Sequence, residues 1–580
     1  MTDPIRIANC SGFYGDRLSA LHEQVTGGPV DVVTGDYLAE LTMLILGRDR
    51  MRDASLGYAR TFLKQLEQSL GEALDRGVRI VVNAGGLNPA GLADAVGELA
   101  GKLGLDPAVA YVTGDDVRSH ADELGVDGAL TANAYLGGFG IARALAADAD
   151  VVVTGRVTDA ALVIGSAAWH HGWDAGDHDA LAGALVAGHV IECGCQATGG
   201  NLAGFTAHDL ERPGFPIAEV AADGSSVITK HDGTGGVVDV DTVAAQLLYE
   251  VGSPRYANPD VTARLDTIRL EQVGDDRVAI TGVTGEAPPP ALKVCVNSLG
   301  GHRNGVEFVL TGLDIEAKAE LVRAQVEAAL GDDPPAEVVW DLARTDHDDA
   351  ATEQAASALL RLSVKDSDPD RIGRRFTSAC IELALASYPG FHVTAPPSKA
   401  TPYGVYTPAY LGRDKVQHTV VLPDATRVVV DDPTDLLSLE EVPAPSLPDA
   451  PPVGPTRRVP LGRVARGRSG DKGGDANIGL WVGTDAAYAW LVHTIDAGAV
   501  RTLLPEAADL DVDVHPLPNL RAVNIVVHGL LGEGVSSGTR FDPQAKGLAE
   551  WLRARHVDVP ETLLSDPAVL VPPARPEDFA

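Results

Sequence analysis

Residues 5–10 (IRIANC) are apolar and break at Ser11-Gly12, the pattern of a buried strand running into a tight loop. The pattern recurs. VDVVTG (30–35) precedes a helical stretch from Tyr37, and RIVVNAGG (79–86) lies between amphipathic stretches at 54–76 and 90–103. AVAYVTGDD (108–116) and DADVVVTGRVTDAALVIG (148–165) repeat the order strand, glycine-rich turn, helix. Short β-branched runs alternating with helices predict an α/β fold whose parallel, Rossmann-like sheet is covered on both faces. Ligands bind such sheets at the carboxyl ends of the strands. The loops there are Gly12–Arg17, Asn83–Pro89, Gly114–Asp116 and Gly155–Asp159.

The texture changes after about residue 260. RLDTIRLEQVGDDRVAITGVTG reads as paired antiparallel strands, and GVEFVLTGL, a helix at 315–330, AEVVWDLAR, ALLRLSVKD and a helix at 371–386 give a β-α-β-β-α order. That order suits an α+β layer of ferredoxin-like type. Residues 443–460 hold seven prolines and read as an extended linker. The expected organisation is a parallel-sheet part at 1–260, an α+β part at 261–440, a linker at 441–458, a separate α+β domain at 459–557 and a Pro-rich arm at 558–580.

Composition narrows the function classes. With 45% apolar and 22% charged residues among 580, this is a folded chain of several domains. Its 46 basic and 81 acidic residues give a net charge of −35, which argues against a nucleic-acid surface, because phosphate neutralisation needs dense Lys and Arg. A small anionic ligand in a locally basic cleft stays open. Five cysteines in apolar or Gly-rich surroundings are no disulfide framework. No basic, apolar leader opens the chain and no apolar run approaches a membrane span, so the expected setting is cytoplasmic, without a membrane partner.

Five segments carry candidate chemistry. The glycines of 11–17 let backbone amides approach a ligand, with Asp16 and Arg17 as binding residues or as a charge pair tying the turn; Asn83 stands at the next strand end. The GFYG spacing is no G-x-G-x-x-G, and no GxxxxGK[ST] occurs, which removes support for nicotinamide or ATP binding. Arg156 at a strand end suits a carboxylate or phosphate, with Asp159 as base or as a helix cap paired to it. In ECGCQATGGN (192–201) the cysteines stand at i and i+2, not at zinc spacing. Cys193 as a nucleophile would need an activating base, and buried thiols are usually inert, so Glu192 and Gln196 are the stronger candidates, for proton transfer and substrate binding. KHDGTGG (230–236) offers Lys230 and Thr234 beside small residues as an anion cradle, with Asp239 and Asp241 capping the next helix. RSGDKGGDAN (468–477) sits between two apolar strands and offers Arg468, Ser469, Lys472 and Asn477 to an anion and Asp471 to proton transfer; an Arg/Lys–Asp network bracing a long turn is the plainer alternative. Asp346–Asp349 reads as a solvated acidic loop. No HExxH or EF-hand pattern occurs, so no metal and no cofactor are expected.

Taken together, ANAYLGGFGIARALAADADVVVTGRVTDAALVIG (132–165), ECGCQATGGN, ITKHDGTGGVVDVDTVAAQLLYEV (228–251) and RSGDKGGDANIGL (468–480) resemble the AtuA family of acyclic terpene utilisation proteins. The resemblance covers a large AtuA region, about 5–445, and a C-terminal AtuA-like domain, about 457–557, for which it implies a ferredoxin-like fold. It implies catabolism of terpenoid acids as CoA thioesters beside carboxylases, dehydrogenases and hydratases. The expected function is therefore hydratase- or lyase-type acid–base chemistry on branched or unsaturated acyl-CoA or the related carboxylates, CoA entering as part of the substrate. A homo-oligomer with carboxylase or dehydrogenase partners is the expected assembly, and a non-catalytic subunit of an acyl-CoA carboxylase-type complex is the rival reading.

Overall fold

The structure, a computed structural model, describes residues 3–126 and 128–572. It divides into two compact units, residues 1–297 with 406–535 and 542–580, and residues 298–405 with 536–541.

The first unit is built on an eleven-stranded sheet. Its centre is parallel: β1 (Ile5–Asn9), β2 (Val32–Gly35), β3 (Arg79–Val82), β6 (Val151–Thr154) and β4 (Val109–Thr113) lie side by side in that order. Alternate residues of these strands feed two separate cores, as the two-residue period of a strand requires. Val32, Val81 and Val152 meet the helices Phe139–Ala146, Ala161–His171 and His178–Ile191. Val33, Ile80, Val82 and Val153 meet Ala20–Thr26, Arg60–Arg76 and Pro89–Leu103. The five strands read from the sequence are those of this parallel run.

Antiparallel strands extend both edges. β7 (Pro216–Val220), β8 (Ser226–Lys230) and the hairpin Arg269–Gly274/Arg277–Thr281 follow β1 on one side. Thr419–Val421 and Arg427–Val429 follow β4 on the other. The hairpin expected within the α+β part therefore belongs to the large sheet. Another strand, β5 (Thr131–Ala134), pairs with the start of the long strand Ala291–Thr311.

The C-terminal domain in this unit has its own core, centred on Ile478, Leu480, Leu491, Ile525 and Leu552. Its antiparallel sheet runs Arg466–Lys472, Asp475–Trp481, Ala522–Val527, Val512–Leu517. Residues 468–477 are thus not a loop between strands. They are the strands, turning only at Gly473-Gly474, and their small residues are explained by close packing. A Cβ on Gly470 would lie 2.4 Å from the Tyr249 ring, and one on Gly479 2.4 Å from Leu248 Cβ. The expected arm is also corrected. His556–Pro560 pairs with Thr456–Pro460, the end of the Pro-rich stretch, and Val559, Leu563, Leu564 and Val569 join the domain core, so apolar burial holds 558–572 down; residues 573–580 lie outside the described residues.

The second unit has a β-α-β-β-α order. Ala291–Thr311 is flanked by Ser357–Asp366, which pairs with Glu337–Ala343, and by His392–Val393. The helices Ile315–Leu330 and Arg374–Ile381 cover a core of Phe308, Leu310, Val322, Leu360 and Phe376. This α+β layer is shorter than the expected 261–440.

Candidate active site

The loops after the parallel strands converge on a group of charged side chains. Asn83, fully buried beyond β3, accepts from the Tyr37 N–H (2.7 Å) and donates to Asp36 Oδ1 (2.5 Å), so it shapes the loop after β2. Burial, reinforced by Asp159, pushes the Asp36 carboxyl well above the usual carboxylate range. Arg156, 2% exposed, donates to the Leu38 carbonyl (2.9 Å) and to Asp159 Oδ1 (3.0 Å) and lies over the Tyr135 ring at 4.3 Å. Asp115, beyond β4, sets this turn by accepting from the Arg156 N–H (2.9 Å) and Asn133 Nδ2 (2.7 Å). Burial raises Asp159 despite Arg156.

Beside them Glu40 accepts from the Tyr135 hydroxyl (2.9 Å) and faces Lys293 Nζ at 3.7 Å. Burial opposes its ionisation, but Lys293 and Arg156 prevail and bring it down to about 2. Lys293 in turn stays protonated above its ordinary value against burial, favoured by Tyr406 and Glu40.

The helix His178–Ile191 ends in a different arrangement. His189 Nδ1 lies 3.1 Å from Glu192 Oε1, with the Tyr256 ring 4.8 Å from the imidazole. Both residues are buried, and among the described residues Glu192 Oε2 has no hydrogen-bond partner. Burial lowers His189 to about 4. Burial, then Asp159 and Glu250, raises Glu192 well above its ordinary value. A carboxyl held this way without a cation in contact favours its protonated form.

The C-terminal hairpin closes the group. Lys472 Nζ donates to the Glu250 carbonyl (2.9 Å), and burial together with Lys293 lowers it to about 8. Asp471 lies 3.8 Å from Lys546, and burial with Glu250 raises it to about 7. Arg468 donates to Gln196 Oε1 and packs on the Tyr249 ring. Glu40, Asp159, Lys293, Glu250 and Lys546 keep between 29% and 39% of their side-chain surface open. Charged groups that touch solvent while protein crowds them are the setting in which acids and bases with shifted pKa values do chemistry.

Residues 5–422 match the family described as acyclic terpene utilisation family protein AtuA, and residues 459–558 match the AtuA ferredoxin-like domain. The chain belongs to the AtuA family. None of the curated proteins matches it.

The AtuA region supplies Asp36, Glu40, Arg156, Asp159, Glu192, Glu250 and Lys293, and the ferredoxin-like domain supplies Arg468, Asp471, Lys472 and Lys546. Of the residues singled out in the sequence, Asn83, Arg156, Asp159, Glu192, Gln196, Arg468, Asp471 and Lys472 meet here. Others have structural work elsewhere. Asp16 accepts from the Gly12 and Arg17 N–H groups, and Arg17 pairs with Glu23 (2.7 Å), so the expected Asp16–Arg17 charge pair is replaced. Lys230 pairs with Asp276 (2.9 Å) and donates to the Thr234 carbonyl, while the Thr234 hydroxyl donates to the His231 carbonyl. That segment is a braced turn, not an anion cradle. Asp239 does cap its helix, whereas Asp241 accepts from Trp481 Nε1 and pairs with Arg466.

Ser469, fully buried, accepts from the Ala549 N–H (2.8 Å) and donates to the Ala545 carbonyl (2.6 Å), holding the start of the helix Leu548–Ala554. Asn477 accepts from the Glu250 N–H (2.7 Å) and orients the loop that carries Glu250 and Tyr249. Burial and then Glu192 push the Cys193 thiol well above its ordinary value, and His189 faces Glu192 instead, which argues against Cys193 as a nucleophile. Asp346 pairs with Arg344 (2.7 Å). Sequence reading missed Asp36, Glu40, Lys293 and Lys546, which lie outside the segments it singled out, and gave no role to Tyr135, Tyr249 and Glu250, which lie inside the segments 132–165 and 228–251.

Proposed function

We propose that this chain is a catabolic enzyme acting on branched or unsaturated terpenoid-type acids carried as CoA thioesters, by acid–base hydration or dehydration. The observation that carries this reading is Glu192: a buried carboxyl held by His189 on one oxygen, with the other unpartnered among the described residues, beside further carboxyls and cations that touch solvent. A hydratase needs one group that exchanges a proton with the hydroxyl leaving or joining the β-carbon, and another that exchanges the α-proton. Glu192 is the acid. In the dehydration direction its Oε2 proton goes to the leaving hydroxyl, which departs as water, while Asp471, titrating near 7, takes the α-proton and the electron pair becomes the new double bond. Hydration reverses each transfer. Arg156 holds a ligand oxygen, and Asp159 orients it through their 3.0 Å contact.

The test is turnover of branched enoyl-CoA and 3-hydroxyacyl-CoA thioesters, followed by loss or gain of the conjugated thioester absorbance, with thermal shift against the same ligands. Arg156→Ala is expected to lose turnover and ligand stabilisation together, and Asp471→Ala to lose turnover. Full activity and binding in both variants would overturn the assignment, and a chain inert towards every thioester that co-purifies in a stable hetero-complex would favour the carboxylase-subunit reading.

A further inference from the structure

We propose that Arg468, Tyr249 and Lys546 form a subsite for an anionic oxygen group, a carboxylate or a phosphate; it deepens the reading above, on which it rests only for the identity of the ligand. Arg468 is 6% exposed. A guanidinium carries five N–H donors, yet among the described residues Arg468 hydrogen-bonds only to Gln196 Oε1, and its Nε is buried with no partner among them. Among the described residues it forms no ion pair. Arg156, equally buried, is answered by Asp159 at 3.0 Å; Arg468 has only the Tyr249 ring, 4.6 Å below its guanidinium. A buried cation without a counter-ion is costly, and a bound anion removes that cost.

A second cation shares the same ring. Lys546 Nζ lies 4.7 Å from the Tyr249 centroid and donates to its hydroxyl. Its carboxylates are loose, Glu250 at 3.5 Å and Asp471 at 3.8 Å. Lys546 keeps 39% of its side chain open, so it faces incoming ligand while Arg468 supplies the sheltered, planar donor fork that matches an oxyanion. Three separate elements meet here: the strand Arg466–Lys472, the turn before the helix Leu548–Ala554, and the residues after the helix Val240–Leu247. Assembly from distant segments explains why the sequence assigns a role only to the Arg468 part of it.

The test is calorimetric binding and thermal shift on the full chain at matched ionic strength, with sodium 3-methylbut-2-enoate, inorganic phosphate and CoA as probes and sodium chloride as the control. Wild type is expected to bind at least one probe beyond the chloride response. Arg468→Lys, which keeps the buried charge but loses the fork, and Lys546→Gln, at an exposed position, are each expected to weaken that binding about tenfold or more. Binding of the carboxylate alone assigns the subsite to the acid end of the ligand; binding of phosphate and CoA assigns it to the CoA phosphates. No probe exceeding chloride, or unchanged binding in Lys546→Gln and in folded Arg468→Lys, overturns it. Should Arg468→Lys fail to fold, Lys546→Gln decides. Probe binding is read without turnover, so a chain that binds the probe but converts no thioester retains the subsite and loses only the catalytic reading.

Discussion

Glu192 is buried beside His189 with one oxygen unpartnered, and at the scale of single residues that placement has direct consequences. Glutamine has nearly the same shape and keeps a carbonyl oxygen for His189, so Glu192→Gln removes the transferable proton with little change in packing. Under the proposed reaction kcat falls about 100-fold or more, while KM changes little because the ligand's anchoring contacts remain; steady-state kinetics with the thioester substrate measure both. Cys193 makes the opposite case. Its thiol is pushed up by burial and by Glu192, and nothing generates the thiolate that a nucleophile needs. Cys193→Ser is therefore expected to leave kcat within about twofold, and a loss of several hundred-fold would restore a covalent mechanism.

At the scale of elements, the hairpin Arg466–Lys472/Asp475–Trp481 shows what a local pattern reveals and what it hides. Strands with β-branched runs, such as β2, β3 and β6, declare themselves through apolar continuity. The sequence RGRSGDK does not, since Gly470 answers to the Tyr249 ring, and Gly479 on the next strand to Leu248, contacts more than 200 positions away. The same hairpin carries Ser469, which holds the start of Leu548–Ala554 through its hydroxyl. Ser469→Ala leaves the Ala549 N–H unsatisfied in a buried place and is expected to cost about 1–2 kcal/mol, read as a lower Tm by calorimetry. Gln196 and Arg468, which meet through their side chains, were each visible in the sequence as polar residues in Gly-rich segments, but their meeting was not.

At the scale of the whole molecule, the site joins residues of two family regions within one compact unit: Glu40 and Glu250 of one act on Asp471 and Lys472 of the other. The strand-end rule located Asn83, Arg156 and Asp159, because they follow β-strands directly. Glu40, Lys293 and Lys546 escaped it, because a helix, a long antiparallel strand and a turn bring them in from the side. Carboxyls gathered from so many segments have a cost, and Asp471 makes it measurable. Its ordinary value is 3.8 and its folded value about 7, so the folded state holds the proton more tightly than the unfolded chain. The stability linked to that proton is fully present below about pH 4 and is lost as pH rises through about 7. Asp471→Asn has no proton to lose. Its stability relative to wild type should therefore climb across that window, to about 2–4 kcal/mol at pH 8, measured as a Tm difference against pH. Turnover moves the other way, because the ionised Asp471 is the proposed base: wild-type kcat/KM should fall below about pH 7, and the asparagine variant should be inactive throughout while being the more stable protein above neutrality. A group kept for packing alone would give a Tm difference that does not vary with pH.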